Sequence, residues 1–122
     1  MTIARYKDLC IDANDPVRLG RFYADVLSLD LQVDDDGDAH LIGAAPQETV
    51  WINEVPEPKS VKHRVHVDVN TRAVADVEAA GATVLDDLLH AGATLLRAQD
   101  DEIDWTVLAD PEGNEFCAFV AR

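Results

Sequence analysis

The fold is decided by residues 5–27, which read RYKDLCIDANDPVRLGRFYADVL. Polar and apolar residues alternate from Asp8 to Ala13, and a β-strand is predicted over residues 5–13. Asp15 can cap a helix that begins at Pro16, because aspartate accepts hydrogen bonds from free N–H groups and proline fits the first turn. The apolar residues that follow recur at helical spacing: Leu19, Phe22, Tyr23, Val26 and Leu27. A strand followed directly by an amphipathic helix is therefore predicted.

Three short strands are predicted next, over residues 29–34, 39–43 and 49–55. Asp36 and Gly37 predict a tight hairpin turn between the first two, since glycine adopts positive φ without a steric penalty. The acidic residues 34–38 resemble part of a calcium-binding loop. Such a loop needs a glutamate six residues after its glycine, and that position is Gly43. We therefore expect a solvated hairpin tip.

The same pattern then begins again. Residues 56–60, PEPKS, predict a stiff extended connector, and the alternation in residues 64–69 predicts a strand. Helical structure is expected from about residue 71 to residue 91, either continuous or broken near Gly81, with Gly92 as its stop. Strands are predicted over residues 94–97, 105–109 and 115–120, with a turn at residues 110–114.

The predicted order is β-α-β-β-β, a connector, and β-α-β-β-β again. Because each half is too small to bury both faces of its sheet, we expect one α+β domain with the helices outside and a sheet-lined cup inside. Module one covers about residues 1–55, the connector residues 56–62 and module two residues 63–122.

Composition limits the functions open to this chain. Its 122 residues are 48% hydrophobic, with 10 Lys and Arg against 24 Asp and Glu, so the formal net charge is −14. This charge argues against nucleic acid and anionic membranes as partners, and leaves a neutral or cationic small molecule. Residues 1–8 have no signal-peptide core and no apolar run reaches the ~18 residues of a membrane span, so we expect a cytoplasmic protein. Cys10 and Cys117 are too few for a disulfide framework.

Several stretches carry a likeness to a known superfamily. They are residues 11–16 (IDANDP) with Phe22-Tyr23, residues 55–59 (VPEPK) leading to residues 64–68 (RVHVD), and Trp105 followed by residues 108–117 (LADPEGNEFC). Together they span nearly the whole chain, which resembles the vicinal oxygen chelate superfamily of glyoxalase I, bleomycin-resistance proteins and extradiol dioxygenases. The likeness is greatest to small bacterial glyoxalase-like proteins.

This resemblance implies a place for a metal. In metal-dependent members, His, Glu or Gln on the first and last strands of the modules bind a divalent ion, which polarises two neighbouring substrate oxygens. The matching positions here are Asp8, His66, Cys117 and the region of residues 51–53, which holds no metal-binding carboxylate. Since only His66 is a typical ligand, we expect no tightly bound metal. The alternative is a divalent Zn, Fe, Mn or Ni ion, and Zn²⁺ would need Cys117 as thiolate.

Strand alternation separates the residues that face the predicted cup from those that face the helices. The cup-facing candidates for ligand binding are Asp8, Cys10, Trp51, Asn53, Arg64, His66, Asp68, Trp105 and Cys117, with Phe119 beside them. His66 is the best catalytic candidate, or else a structural histidine bonded to Asp68 or Asp8. The tryptophans are either ligand platforms or core residues. We expect His40, His63 and His90 at the surface and Glu115 in solvent.

Two functions from different classes remain. The first is binding of a small cationic or aromatic molecule in the cup, as in the drug-resistance members of the superfamily. The alternative is a lyase, isomerase or dioxygenase-type enzyme with His66 as metal ligand or general base. A small-molecule ligand and a possible homodimer are the expected partners. A module that only binds other proteins is favoured if the cup is filled by its own side chains.

Overall fold

The computed structural model describes residues 2–71 and 84–120. The chain divides into two compact units, Met1–Pro58 and Lys59–Arg122, and the boundary falls inside the predicted connector. Each unit contains a four-stranded sheet, so the predicted α+β class is confirmed. No helix in the described part of the chain is long and apolar enough to span a membrane.

The first unit has the predicted β-α-β-β-β order. Its sheet is arranged β1-β4-β3-β2, with β1 parallel to β4 and the other neighbours antiparallel. The elements are β1 (Leu9–Ala13), α1 (Pro16–Leu27), β2 (Asp30–Val33), β3 (Ala39–Ile42), a 3₁₀ turn (Pro46–Glu48) and β4 (Val50–Glu54).

Helix α1 begins and packs as the sequence predicts. The Asp15 side chain accepts a hydrogen bond from the backbone N–H of Arg18 at 3.1 Å, which caps the first turn. Leu19, Phe22 and Tyr23 are buried, whereas Leu27 is exposed, so the buried stripe stops before the last residue of the helix. Gly20 brings the helix backbone close to the sheet: a Cβ there would lie 2.7 Å from Leu31 Cδ1.

Strand β1 is shorter than predicted. It starts at Leu9 rather than at residue 5, and Asp8 lies just before it. The reason is its partner: Leu9 pairs with Val50, the first residue of β4, and the 3₁₀ turn precedes that strand. Residues 5–8 also lack the alternation of residues 9–13, because Arg5 and Lys7 stand where Leu9 and Ile11 would continue the apolar face.

The second unit has a sheet of the same arrangement, β5-β8-β7-β6, with β5 parallel to β8. The predicted helix over residues 72–83, and its break near Gly81, lie outside the described residues. Helix α2 ends as expected, because Gly92 has a φ of +126° and the N–H of Ala93 donates to Leu88 O at 3.0 Å. The elements are β5 (Val67–Thr71), α2 (Val84–Ala91), β6 (Thr94–Arg97), β7 (Thr106–Ala109) and β8 (Glu115–Val120).

Strand β5 corrects the prediction for residues 64–69. It begins at Val67, which pairs with Phe116 near the start of β8. Val65, predicted to face the core, is 79% exposed because it precedes the ladder. Arg64 and His66 also lie before the strand, and both are exposed.

Candidate functional site

The first sheet has one apolar and one polar face. Helix α1 covers the apolar face, where Gly20 lies against Leu31, Ala39 and Ile52. Since side chains alternate along a strand, Cys10, His40, Trp51 and Asn53 lie on the opposite face. We call these four residues the polar face of the first sheet.

Trp51 and His40 stack on each other at the centre of this polar face. They are cross-strand partners, and their ring centroids lie 4.3 Å apart with an angle of 27° between the planes. The His40 side chain is only 14% exposed, so the prediction that it lies at the surface was wrong. Its Nδ1 is buried and has no hydrogen-bond partner among the described residues, since Asp34 Oδ2 is 3.6 Å away.

Cys10 and Asn53 lie beside the stack. The Asn53 amide donates to Cys10 Sγ at 2.9 Å. Desolvation of the sulfur and the negative charges of Asp12, Asp8 and Asp38 raise the pKa of the Cys10 thiol. At neutral pH the thiol therefore stays protonated, which disfavours a role as nucleophile.

Asp8 lies at the edge of this region, immediately before β1. Its side chain is largely buried and pairs with the exposed side chain of Lys7. The sequence placed Asp8 on the same side as Cys10, and the charge of Asp8 does act on the Cys10 sulfur.

The second unit brings three possible metal ligands together. The donor atoms of His66, Asp68 and Cys117 all lie within 4.8 Å of one another. Asp68 and Cys117 are partners on the parallel strands β5 and β8, and His66 Nε2 lies 3.4 Å from Asp68 Oδ1. His66 and Asp68 are exposed and Cys117 is buried. Burial, and then the charge of Asp68, raise the pKa of the Cys117 thiol, while Lys62 opposes them.

These donors fit the metal of the superfamily only in part. One nitrogen, one oxygen and one sulfur suit Zn²⁺ with a coordination position left open, whereas Mg²⁺ and Ca²⁺ prefer oxygen alone. Cys117 would have to lose its proton on binding. The region of residues 51–53, Trp-Ile-Asn, offers no histidine, thiol or carboxylate. Asp68 is a possible metal ligand that the resemblance did not indicate, although its spacing of two residues from His66 in the predicted strand was a usable signal.

The remaining predicted site residues are distributed as follows. Trp105 is half-buried and contacts Phe119, with ring centroids 5.6 Å apart. Arg64 is exposed and precedes β5. The structure thus forms one group from Cys10, Trp51 and Asn53 and another from His66, Asp68 and Cys117, and their role in binding stays a prediction.

Glu115 is a residue whose environment the sequence did not reveal. It was expected in solvent, yet its side chain is 14% exposed and accepts from Lys59 Nζ at 2.7 Å. The backbone N–H of His63 donates to its other oxygen at 3.3 Å. Burial alone would raise the pKa of Glu115, but the hydrogen bonds from Lys59 and His63 lower it to about 2. This ion pair joins the connector to the start of β8.

The family of the chain follows from a match over nearly its whole length. Residues 8–119 match the family described as glyoxalase-like domain. The chain belongs to this family. The resemblance to the glyoxalase, bleomycin-resistance and dioxygenase superfamily is thereby confirmed.

Solved structures agree with this assignment. A glyoxalase/bleomycin resistance protein/dioxygenase family enzyme from Burkholderia phytofirmans PsJN has a TM-score of 0.70 at 19% identity, over 94% of this chain and 97% of its own. The fosfomycin resistance protein FosX from Mesorhizobium loti has a TM-score of 0.68 at 13% identity, over 100% and 95%. FosX from Listeria monocytogenes has a TM-score of 0.71 at 10% identity, over 99% and 94%. At these identities the likeness shows a shared fold. No curated protein sequence matches the chain.

Proposed function

We propose that this glyoxalase-like protein binds a small organic molecule with an aromatic part, and that Trp51 is a main contact. The observation that carries the proposal is the stack of Trp51 on His40 in the polar face of the first sheet. Small-molecule sites combine apolar or aromatic walls with a few fixed polar groups. The polar face has this composition, since Asn53 and Cys10 lie beside the stack.

The unpaired nitrogen of His40 supports the same proposal. A buried polar atom without a hydrogen bond destabilises a native structure by about 1–3 kcal/mol. His40 Nδ1 is such an atom among the described residues. Asp34 Oδ2 lies 3.6 Å away, so a small shift of the His40 ring when a ligand binds against Trp51 would let this nitrogen pair and remove the cost.

The solved relatives point towards small molecules as well. Two of them are named as fosfomycin resistance proteins, and others carry bleomycin resistance in the name of their superfamily. We extend from them only the general class: a small molecule bound by a glyoxalase-like fold. Binding without a resident metal accounts best for the incomplete ligand set.

The test uses the two tryptophans, one in each unit. Trp105→Phe leaves Trp51 as the only tryptophan, and Trp51→Phe leaves Trp105. Titration with a panel of aromatic small molecules should quench the fluorescence of the Trp105→Phe variant. For a ligand found in this way, Trp51→Ala should weaken binding about 5- to 10-fold, since an aromatic contact contributes roughly 1 kcal/mol beyond its buried area. Unchanged affinity in Trp51→Ala would show that the site lies elsewhere.

A second function is favoured by the group His66, Asp68 and Cys117. If these residues hold a divalent ion, the ion supplies a Lewis acid for a lyase, isomerase or dioxygenase-type reaction. Without an ion, His66 remains the candidate general base, and Asp68 would orient its ring.

Elemental analysis separates the two functions. We expect purified protein to carry less than one equivalent of Zn, Fe, Mn or Ni. One equivalent of metal that is lost in His66→Ala and Cys117→Ser, but kept in the control Cys10→Ser, would contradict this prediction. It would make the metal-dependent enzyme the better proposal.

A further inference from the structure

We propose that the ligand of the polar face is an organic cation: an ammonium group, quaternary or protonated, attached to an aromatic or compact apolar group. The cation would lie against Trp51, within the field of the carboxylates of Asp8, Asp12 and Asp38. This inference rests on the proposed function and adds the charge of the ligand to it.

The first unit has a strong excess of negative charge. Residues 1–58 contain twelve acidic and four basic residues. Two of the basic residues, Arg18 and Arg21, belong to α1, which covers the opposite face of the sheet. Of the other two, Lys7 pairs with Asp8, and Arg5 is exposed before β1. Among the described basic residues of this unit, Lys7 pairs with Asp8, and none pairs with Asp12 or Asp38 beside the polar face.

Three carboxylates act on one point of this face. Asp12 is two residues from Cys10 on β1 and is the register partner of Asn53, so it lies on the same side of the sheet as the polar face. Asp38 is held in place because it accepts from the backbone N–H of Glu54 at 2.7 Å. The charges of Asp12, Asp8 and Asp38 all raise the pKa of Cys10, which shows that their fields add at its sulfur.

The chemistry of the face favours an organic cation over a metal ion. An indole ring attracts an ammonium group through its π-face by about 0.5–2 kcal/mol, and more strongly where water is excluded. Trp51 is half-buried and Cys10 bonds to Asn53, so the face offers an aromatic surface and neutral polar groups at its centre. In the part of the chain that the structure describes, the group with metal-ligand geometry lies in the second unit instead.

The experiment compares two phenols of the same shape, (3-hydroxyphenyl)trimethylammonium and neutral 3-tert-butylphenol. Binding to the Trp105→Phe variant is followed by the fluorescence of Trp51. At 0.01 M salt, we expect the cationic phenol to bind about 10-fold more tightly than the neutral phenol. This ratio should fall several-fold at 0.15 M salt, because the Debye length shrinks from ~30 to ~8 Å.

A matched pair of variants locates the charge. Asp12→Asn should weaken binding of the cationic phenol about 3- to 5-fold and leave the affinity for the neutral phenol unchanged. The control Asp25→Asn removes one negative charge from an exposed position on α1, and should weaken binding of the cationic phenol less than 2-fold. Unchanged binding of the neutral phenol also shows that both variants are folded.

Each outcome decides between the two proposals. Equal affinity for both phenols would overturn the proposal of a cationic ligand and leave the proposed function standing. Equal effects of Asp12→Asn and Asp25→Asn on the affinity for the cationic phenol would do the same. If neither phenol binds up to millimolar concentration, the proposal of a cationic ligand is overturned, and the result also counts against ligand binding at Trp51.

Discussion

The two units place different chemistry at the same point of the same ladder. In each unit the first strand runs parallel to the last, and the second residue pair of that ladder lies within a cluster of candidate site residues. This pair is Cys10 with Trp51 in the first unit and Asp68 with Cys117 in the second. The fold therefore fixes where side chains meet, whereas the residue types decide what they can do there.

The neighbouring strands extend this difference. Trp51 has His40 as its partner on β3, and Cys117 has Val107 as its partner on β7. The first unit thus builds an aromatic stack, and the second unit builds a group of nitrogen, oxygen and sulfur donors. We infer that binding of an organic ligand and any binding of metal are carried by different units.

The largest loss of stability is expected from substitutions in the cores, where the two units are alike. Phe22 on α1 and Phe116 on β8 are among the largest fully buried side chains. Phe22→Ala and Phe116→Ala should each lower the free energy of unfolding by about 3–5 kcal/mol, because each leaves a cavity. Urea unfolding measured by Trp51 for the first variant and by Trp105 for the second checks this. A loss below ~1 kcal/mol in one variant alone would show that the two cores are not equivalent.

The next largest effect on stability comes from the ion pair of Lys59 with Glu115 in the second unit, and it depends on pH. Glu115 has a pKa of about 2 in the folded protein, against an ordinary value of 4.5. The ion pair with Lys59 therefore stabilises the protein above about pH 4.5, and this contribution disappears as the pH falls towards 2. The difference in pKa corresponds to at most about 3 kcal/mol.

Glu115→Gln tests this prediction, with Glu57→Gln as an exposed control. The free energy of unfolding of Glu115→Gln should lie below that of the wild type at pH 7, and the two should converge between about pH 5 and pH 2. A constant difference over this range would mean that Glu115 does not titrate as the structure indicates.

The sequence predicted the elements whose signals are local. The Asp15 cap, Pro16 and the helical spacing of Leu19 and Phe22 all act within one turn or two, and α1 formed where they indicate. Strand starts were less predictable, because a strand needs a partner as well as an alternating pattern. Residues 64–66 have the pattern, but β8 does not extend beside them, and β4 does not extend beside residues 5–8.

The same reason limits prediction of the site. Strand alternation put Cys10, Trp51 and Asn53 on one face without any knowledge of pairing. The stack of Trp51 on His40 depends on the register between β3 and β4, which no local signal gives. The contact between Lys59 and Glu115 joins residues 56 positions apart, so only the folded chain reveals it.

A smaller difference in stability is expected between substitutions in two hairpin turns that have the same backbone hydrogen bond. In the first unit Asp34 N donates to Asp38 O at 2.8 Å, and in the second Asp110 N donates to Asn114 O at 2.9 Å. The Asp110 side chain is buried and accepts from the backbone N–H groups of Glu112 and Asn114. Asp110→Ala should cost about 2 kcal/mol because it leaves buried donors unpaired. Asp34→Ala should cost less than ~0.5 kcal/mol, and equal losses in urea unfolding would contradict the comparison.

The smallest effect tests whether the backbones of these two turns are alike. Gly37 and Gly113 have φ values of +91° and +86°, which a residue with a Cβ adopts at a cost of roughly 1 kcal/mol. A Cβ on Gly113 would meet its nearest neighbour at 4.0 Å, and one on Gly37 would meet the flexible end of Glu54 at 3.2 Å. Since the end of a glutamate side chain can move away, the closer contact adds little. Gly37→Ala and Gly113→Ala should therefore lower the free energy of unfolding equally, by about 1 kcal/mol each. If Gly37→Ala costs clearly more, and Glu54→Ala in the same chain removes the excess, then the contact with Glu54 rather than the turn backbone distinguishes the two units here.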